Sequence, residues 1–325
     1  MCVAALLKPF PSCQTRKPSA NSQRFRTCRP RLAPMQSAPM KFSVTHLTRY
    51  QYEQAVAFSP HALFLRPRET PLHRVTRFTF NIAPSFKLTH TRDAYDNTLT
   101  WLHLWDRADA LSIRSEFEIE TLEVNPFDFI LRLDATKFPF NYTPAEQFAL
   151  TPYLATPFEG NHPLLRNWLD EHYVERPTET ISFLTGLNTV LYCHLNYQRR
   201  DDPGVQSPVK TLELTTGNCR DYAMLLVDMC RALGFAARFV SGYFHTYPED
   251  NRVSAGAMHA WAEIYLPGAG WRGLDPTHGI FTTSAYIPIA HARHTEEVSP
   301  IQGSFFSTVP VSSQLTTRLL IERIE

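Results

Sequence analysis

The chain has 325 residues, 43% of them hydrophobic and 19% charged, which is the composition of a globular protein with a sizeable core. No stretch approaches the roughly 18 consecutive apolar residues of a membrane-spanning helix, so no membrane partner is expected. The net charge of +1 is unevenly spread: residues 1–39 carry seven Lys and Arg and no acid, which leaves the remainder at −6 and argues against nucleic acid as a partner.

The cysteines are Cys2, Cys13, Cys28, Cys193, Cys219 and Cys230, with no CxxC pair among them. That is no disulfide framework, and a reducing, cytoplasmic location is the expectation. Residues 1–39 show neither helical nor strand period. Their Arg-rich, acid-free composition is that of a transit peptide. Pro9, Pro11, Pro18 and Pro30, with Met35 and Met40 behind them, favour a disordered tail or an over-extended start before Met40.

From Met40 the pattern changes. Lys41–Tyr50 alternates, Val75–Ala83 alternates with Phe78 and Phe80 on one face, and a turn at Asp96 and Asn97 leads into Thr98–Trp105. Leu111–Val124 alternates again, with Ile113, Phe117 and Ile119 against Arg114, Glu116, Glu118 and Glu120. Short period-2 runs parted by turn residues predict a β-rich domain over 40–130. Prolines at irregular spacing mark a Pro-rich connection over 131–160, and 161–325 reads as a second domain.

Helical spacing returns with Leu164, Leu165, Trp168, Leu169 and Tyr173, and again with Ile181, Leu184, Leu187, Val190 and Leu191. The strongest helix follows Gly217. Ala223, Leu226, Val227, Cys230 and Leu233 form its stripe, with Asp221, Asp228 and Arg231 away from it. Asn218 is placed to cap it, Asp221 three residues on completes a capping box, and Gly234 ends it. Arg238–Phe244, Ala257–Leu266 and Trp271–Asp275 then read as strands, with a turn at 267–270 and a final exposed edge strand over Leu315–Ile324. The fold class is α+β, with helices followed by an antiparallel sheet.

Three residues in this second half carry chemistry together. Cys219 stands in the first turn of the capped helix, where unpaired N–H groups and the positive end of the dipole favour a thiolate and a developing oxyanion. Taken alone it reads equally as a buried small hydrophobe, as Cys230 and Cys193 do. His259, Trp261 and Glu263 share one strand face, and Ala260 and Ala262 share the other, suited to close packing. Folding that strand about the 267–270 turn brings Asp275 within about one cross-strand pair of His259. A carboxylate there bonds one imidazole nitrogen and leaves the other for Cys219. Cys219, His259, Asp275 and His278 could be written as a zinc set, but their separations lack the short paired spacings of structural sites. The chain has no HExxH, Walker A, GxGxxG, GxSxG or EF-hand loop, so no metal and no cofactor is expected.

The blocks Gly217–Ala223, Leu233–Tyr243, His259–Glu263 and Trp271–Thr277 resemble the bacterial transglutaminase-like family. Val44–Tyr50, Ser59–His61 and Leu65–Arg68 resemble the β-rich domain that often precedes its core. The resemblance runs from Met40 onward. It implies a papain-like, transglutaminase-like core of helices on an antiparallel sheet, with Cys219 as nucleophile, His259 as base and Asp275 as orienting group. His278 stands where the family usually has asparagine, and Asn218 where a hydrophobic residue is more usual. The implied chemistry is thiol-dependent attack on an amide of a protein or peptide substrate through a thioester, resolved by water (a cysteine protease-like hydrolase) or by an amine (a transglutaminase, an acyltransferase). A non-catalytic protein-binding module on the same scaffold is the reading from another class. Trp261 and Trp271 are candidates for the cleft walls.

Overall fold

The computed structural model describes residues 40–122, 125–155, 161–200, 204–245 and 258–324. The tail expected over 1–39 and the loop at Ser254, Ala255 and Gly256 lie outside the described residues. The first elements are strands: β1 (Met40–Phe58), β2 (His61–Leu63), β3 (His73–Ala83), β4 (Phe86–Arg92), β5 (Thr98–Leu104) and β6 (Ala108–Thr121). Helices α1 (Pro144–Leu154), α2 (Asn161–His172), α3 (Thr180–His194), α4 (Pro208–Leu214) and α5 (Cys219–Ala232) follow. The short strands β7 (Asn196–Tyr197) and β8 (Thr216–Gly217) fall between them. Then come β9 (Ala237–Phe244), β10 (His259–Leu266), β11 (Gly270–Asp275), β12 (Ile280–Phe281) and β13 (Tyr286–Ala292). β14 (Ile301–Gln302), β15 (Phe305–Phe306) and β16 (Ser313–Arg323) complete the order.

The N-terminal layer follows the alternation. β6 buries Leu111, Ile113, Phe117 and Ile119, while Arg114 is exposed and Glu116, Glu118 and Glu120 are half-buried. It lies between β1 and β3, so both of its edges are paired. β2, β5 and β4 make a smaller sheet beside it.

Two boundaries drawn from the sequence need correcting. The stretch 161–325 is not wholly a second domain, because β14 pairs with β2, and β15 and β16 pair with β1. β1 is 19 residues long, and its edge away from β6 would present unpaired N–H and C=O groups; β16 covers that edge from Phe42 to Tyr52. The Pro-rich stretch 131–160 contains a helix, α1. Thr143 accepts from Glu146 N at 3.3 Å, and Glu146 Oε2 accepts from Thr143 N at 2.9 Å, a capping box with Pro144 at the first helical position.

The second sheet runs β12-β11-β10-β9-β13, antiparallel throughout. α5 packs on it against β10 and β9, with α2, α3 and α4 around its other sides. It is therefore a central helix rather than the two-faced one expected. Residues 221–232 are all buried, Asp228 and Arg231 included. Arg231 is held by the carbonyls of Tyr153, Ala237 and Arg293 at 2.8–3.1 Å and lies 3.7 Å from Asp228. Buried charges of this kind require such partners. Each fully buried Leu or Met on this helix contributes about 1.5–3 kcal/mol over exposure.

The layers share one core, in which Phe42, Val44 and Phe117 meet Tyr243 and Phe244. Polar contacts cross the same seam. His46 Nδ1 lies 2.9 Å from Tyr243 Oη, and Asn97 exchanges two hydrogen bonds with the backbone of His291 at 2.7 and 2.9 Å. No helix among the described residues is long and apolar enough to cross a membrane.

Candidate active site

Cys219 opens α5 as its first helical residue. The Asn218 side chain accepts from Arg220 N at 3.0 Å and Asp221 N at 3.2 Å, while Asp221 Oδ2 accepts from Asn218 N at 2.9 Å. The capping box holds the turn from outside and inside at once. Asp221 is fully buried and also accepts from Gln206 N at 2.7 Å and from Arg200 at 3.0 and 3.2 Å, which ties the loop before α4 to the start of α5. Gly217 is needed beneath them, because a Cβ there would stand 2.9 Å from Asp221 Cβ. Cys219 is half-buried, Cys230 buried on the core side of the helix, and Cys193 exposed at the end of α3.

His259 begins β10, buried on the face it shares with Trp261. Ala260 and Ala262, on the opposite face, are buried, and α5 packs against this strand. β10 and β11 pair with Ala262 opposite Leu274, and continuing that register sets Asp275 opposite Trp261, diagonal to His259 on the same face. His259 Nε2 lies 2.7 Å from Asp275 Oδ2. Cys219 also acts on the ring and favours its charged form, and with Nε2 committed to Asp275 it is Nδ1 that remains for the sulfur. The strand ends because Pro276 has no N–H to extend the ladder. Gly279 then closes the turn to β12 at φ 72°, where a Cβ would also strike the Tyr192 ring.

Asp275 is the most heavily bonded group in the site. Oδ2 also accepts from Tyr286 Oη at 2.7 Å and from His278 Nδ1 at 2.6 Å, and Oδ1 accepts from Thr277 N at 2.8 Å. Burial favours its neutral form, but the charges and hydrogen bonds of His259 and His278 prevail and hold it well below the usual carboxylate range. Burial likewise lowers His259, yet the Asp275 carboxylate and the hydrogen bonds to Asp275 and Cys219 outweigh it and push the imidazole up to about 10. The pair is an imidazolium facing a carboxylate at neutral pH.

Ligand atoms of His259, Asp275 and His278 lie within 4.8 Å of one another, close enough for a metal site. Both imidazoles, however, aim at one oxygen from 2.6–2.7 Å, proton-sharing distances shorter than the roughly 3.3 Å edge of a tetrahedral site with 2.0–2.1 Å bonds. The donors suit protons better than a cation.

The two tryptophans differ. Trp261 is buried beside His259, edge-on to Tyr286 at 5.3 Å, as a supporting wall. Trp271 belongs to the far end of the hairpin, under the Arg238 guanidinium at 4.0 Å and against Tyr153. The sequence reading missed Tyr286 because Pro288 interrupts the pattern of β13. The structure accommodates that proline at a register shift between Pro288 and Ala290. The alternation of Ile287 and Ile289 on either side of Pro288 was the available signal.

A capped helix bearing a cysteine, packed on an antiparallel sheet bearing a histidine and an aspartate, defines a thiol-enzyme fold. The model of the transglutaminase-like superfamily matches residues 169–276, and that of the bacterial transglutaminase-like N-terminal region matches 42–120. The chain thus carries a transglutaminase-like core behind a bacterial transglutaminase-like N-terminal region. An uncharacterized protein of Mycobacterium tuberculosis is 28% identical over 287 residues, covering 83% of this chain and 89% of the relative. A candidate cysteine protease from Cytophaga hutchinsonii has the same fold, with TM-score 0.69 at 17% identity over 89% of this chain and 92% of its own. A protein-glutamine gamma-glutamyltransferase of Pseudomonas aeruginosa is 35% identical over 69 residues, 20% of this chain and 10% of that protein.

Proposed function

We propose that the protein is a cysteine hydrolase of peptide or isopeptide bonds, with Cys219 as nucleophile, His259 as general base and acid, and Asp275 as the group that orients His259. One observation carries the reading: the half-buried thiol at the start of α5 acts on the His259 ring to favour its charged form, and His259 Nε2 bonds the buried Asp275. His259 Nδ1 holds the thiol proton while Sγ attacks the amide carbonyl. Arg220 N and Asp221 N are committed to the Asn218 cap, so the Cys219 N–H is the donor this reading assigns to the oxyanion. His259 passes its proton to the departing amine, leaving a thioester. It then takes a proton from water as that water attacks, and carboxylate and free thiol result.

Water reaches a half-buried thioester without a dedicated site, whereas an amine needs one, and this favours hydrolysis. The local match to a glutamyltransferase favours a second reading, in which an amine resolves the same thioester. Incubating the protein with a glutamine-containing protein and a labelled primary amine, with Cys219→Ala as control, separates the two. Peptide cleavage lost in the variant supports the hydrolase, and amine incorporation lost in the variant supports the transferase. If neither product depends on Cys219, the binding-module reading replaces both.

A further inference from the structure

Asp275 is held by more donors than a histidine–aspartate pair requires. A carboxylate oxygen offers about two lone-pair directions. Oδ2 nevertheless meets three donors, His259 Nε2, Tyr286 Oη and His278 Nδ1, all at 2.6–2.7 Å. An ionised carboxylate only accepts, so His278 carries a proton on Nδ1. The second imidazole belongs to the turn after β11, and the phenol belongs to β13, so two separate elements fix one oxygen. The aromatic packing fixes them in turn. The Phe244 ring lies 4.9 Å from that of His278 and 4.3 Å from that of Tyr286, with centroid 5.5 Å from His259. His278 is nearly as buried as the pair it supports, with 9% of its side chain exposed.

We infer that His278, with Tyr286, is a positioning residue for the site: it holds the Asp275 carboxylate in the one orientation that keeps His259 Nε2 bonded and Nδ1 turned to Cys219. The inference rests on the triad reading above. His278 acts through Asp275, whose Oδ2 its Nδ1 bonds. The role also accounts for the residue type. Asparagine presents an N–H from the branch where Nδ1 stands and can serve the same oxygen, whereas a side chain of similar bulk without a donor cannot.

The test is the rate at which iodoacetamide alkylates Cys219 in the full chain, followed by peptide mass spectrometry across pH, which needs no knowledge of the substrate. His278→Leu is expected to slow labelling about tenfold at pH 7, the loss typical of removing a supporting hydrogen bond. The acid-side loss of labelling should also move to higher pH, because Asp275 loses a group that holds it ionised. His278→Asn should stay within about threefold of the unmodified protein, a rescue that a purely space-filling role would not give. Should His278→Leu fail to fold, Tyr286→Phe, which deletes only a hydroxyl, reads the same displacement of the acid limb. Superimposed rates and pH profiles for the unmodified protein and the donor-less variants overturn the inference. An unmodified protein that labels no faster than Asp275→Asn overturns the triad reading instead.

Discussion

Arg200 holds Asp221 with two hydrogen bonds of 3.0 and 3.2 Å, and through it fastens the loop before α4 to the turn that presents Cys219. Asp221 has no exposed surface and Arg200 keeps 19% of its side chain exposed, so the pair is unequal. Removing Arg200 leaves a buried carboxylate still served by Gln206 and Asn218. Removing Asp221 strands those donors and the cap together. Asp221→Ala should therefore cost about 3–5 kcal/mol and Arg200→Ala less, measured by urea unfolding. Equal losses would show that the carboxylate does not organise this corner.

A second expectation concerns alkaline pH. The folded state keeps its proton on His259 up to about 10, because Asp275 and Cys219 favour the charged ring over the opposing effect of burial. The unfolded chain releases it near 6.5. Between these values the folded state binds more protons, so stability is full below about 6.5 and falls as pH rises through the window. His259→Asn should flatten that decline. Thermal midpoints across pH 6–10 measure it, and parallel curves for the two proteins would contradict the raised imidazole.

The seam behaves oppositely in acid. Burial pulls His46 down to about 4, so it is neutral where it meets Tyr243. The unfolded chain takes up a proton below about 6.5. Stability here is present above 6.5 and is lost as pH falls towards 4, by about 3 kcal/mol for a shift of this size. His46→Phe, which cannot titrate, should remove this part of the acid sensitivity at the expense of the Tyr243 hydrogen bond. Denaturant titrations at pH 4.5 and 7 for both proteins decide it.

The parts of the molecule readable in sequence were those where local chemistry and final environment agree. Asn218, Asp221 and Gly217 mark the start of α5 within five residues, and the alternation around His259 sets its face. Asp275 then followed from one hairpin turn. What escaped had a local signal at odds with its surroundings. β4 alternates poorly because it lies open to solvent, with only Leu88 better than exposed. α1 was hidden by its own prolines although Thr143 and Glu146 announce it. β13 was hidden by Pro288, and with it went Tyr286. His278 was visible only as a departure at one position and as a member of a zinc set rejected on its spacing. Its partner oxygen became known when the turn after β11 was seen to fold back.

Gly242 offers the most direct test of how the sheet supports the site. It pairs with His259 on β10 and with Pro288 on β13, in the middle of three strands. A Cβ there would stand 2.3 Å from the Ile287 carbonyl oxygen and 2.5 Å from the Trp261 ring. The carbonyl belongs to backbone and cannot yield without shifting β13. The indole can move only by disturbing the wall beside His259. Gly242→Ala should therefore destabilise the fold by about 1–3 kcal/mol, as overpacking does in a dense core. It should also slow Cys219 alkylation at a pH and temperature where the variant is still folded. A Trp261→Phe change in the same background relieves the ring contact but not the backbone one. It should restore part of the labelling rate and little of the stability. Full recovery of both would place the strain on the indole alone and remove Ile287 from the account.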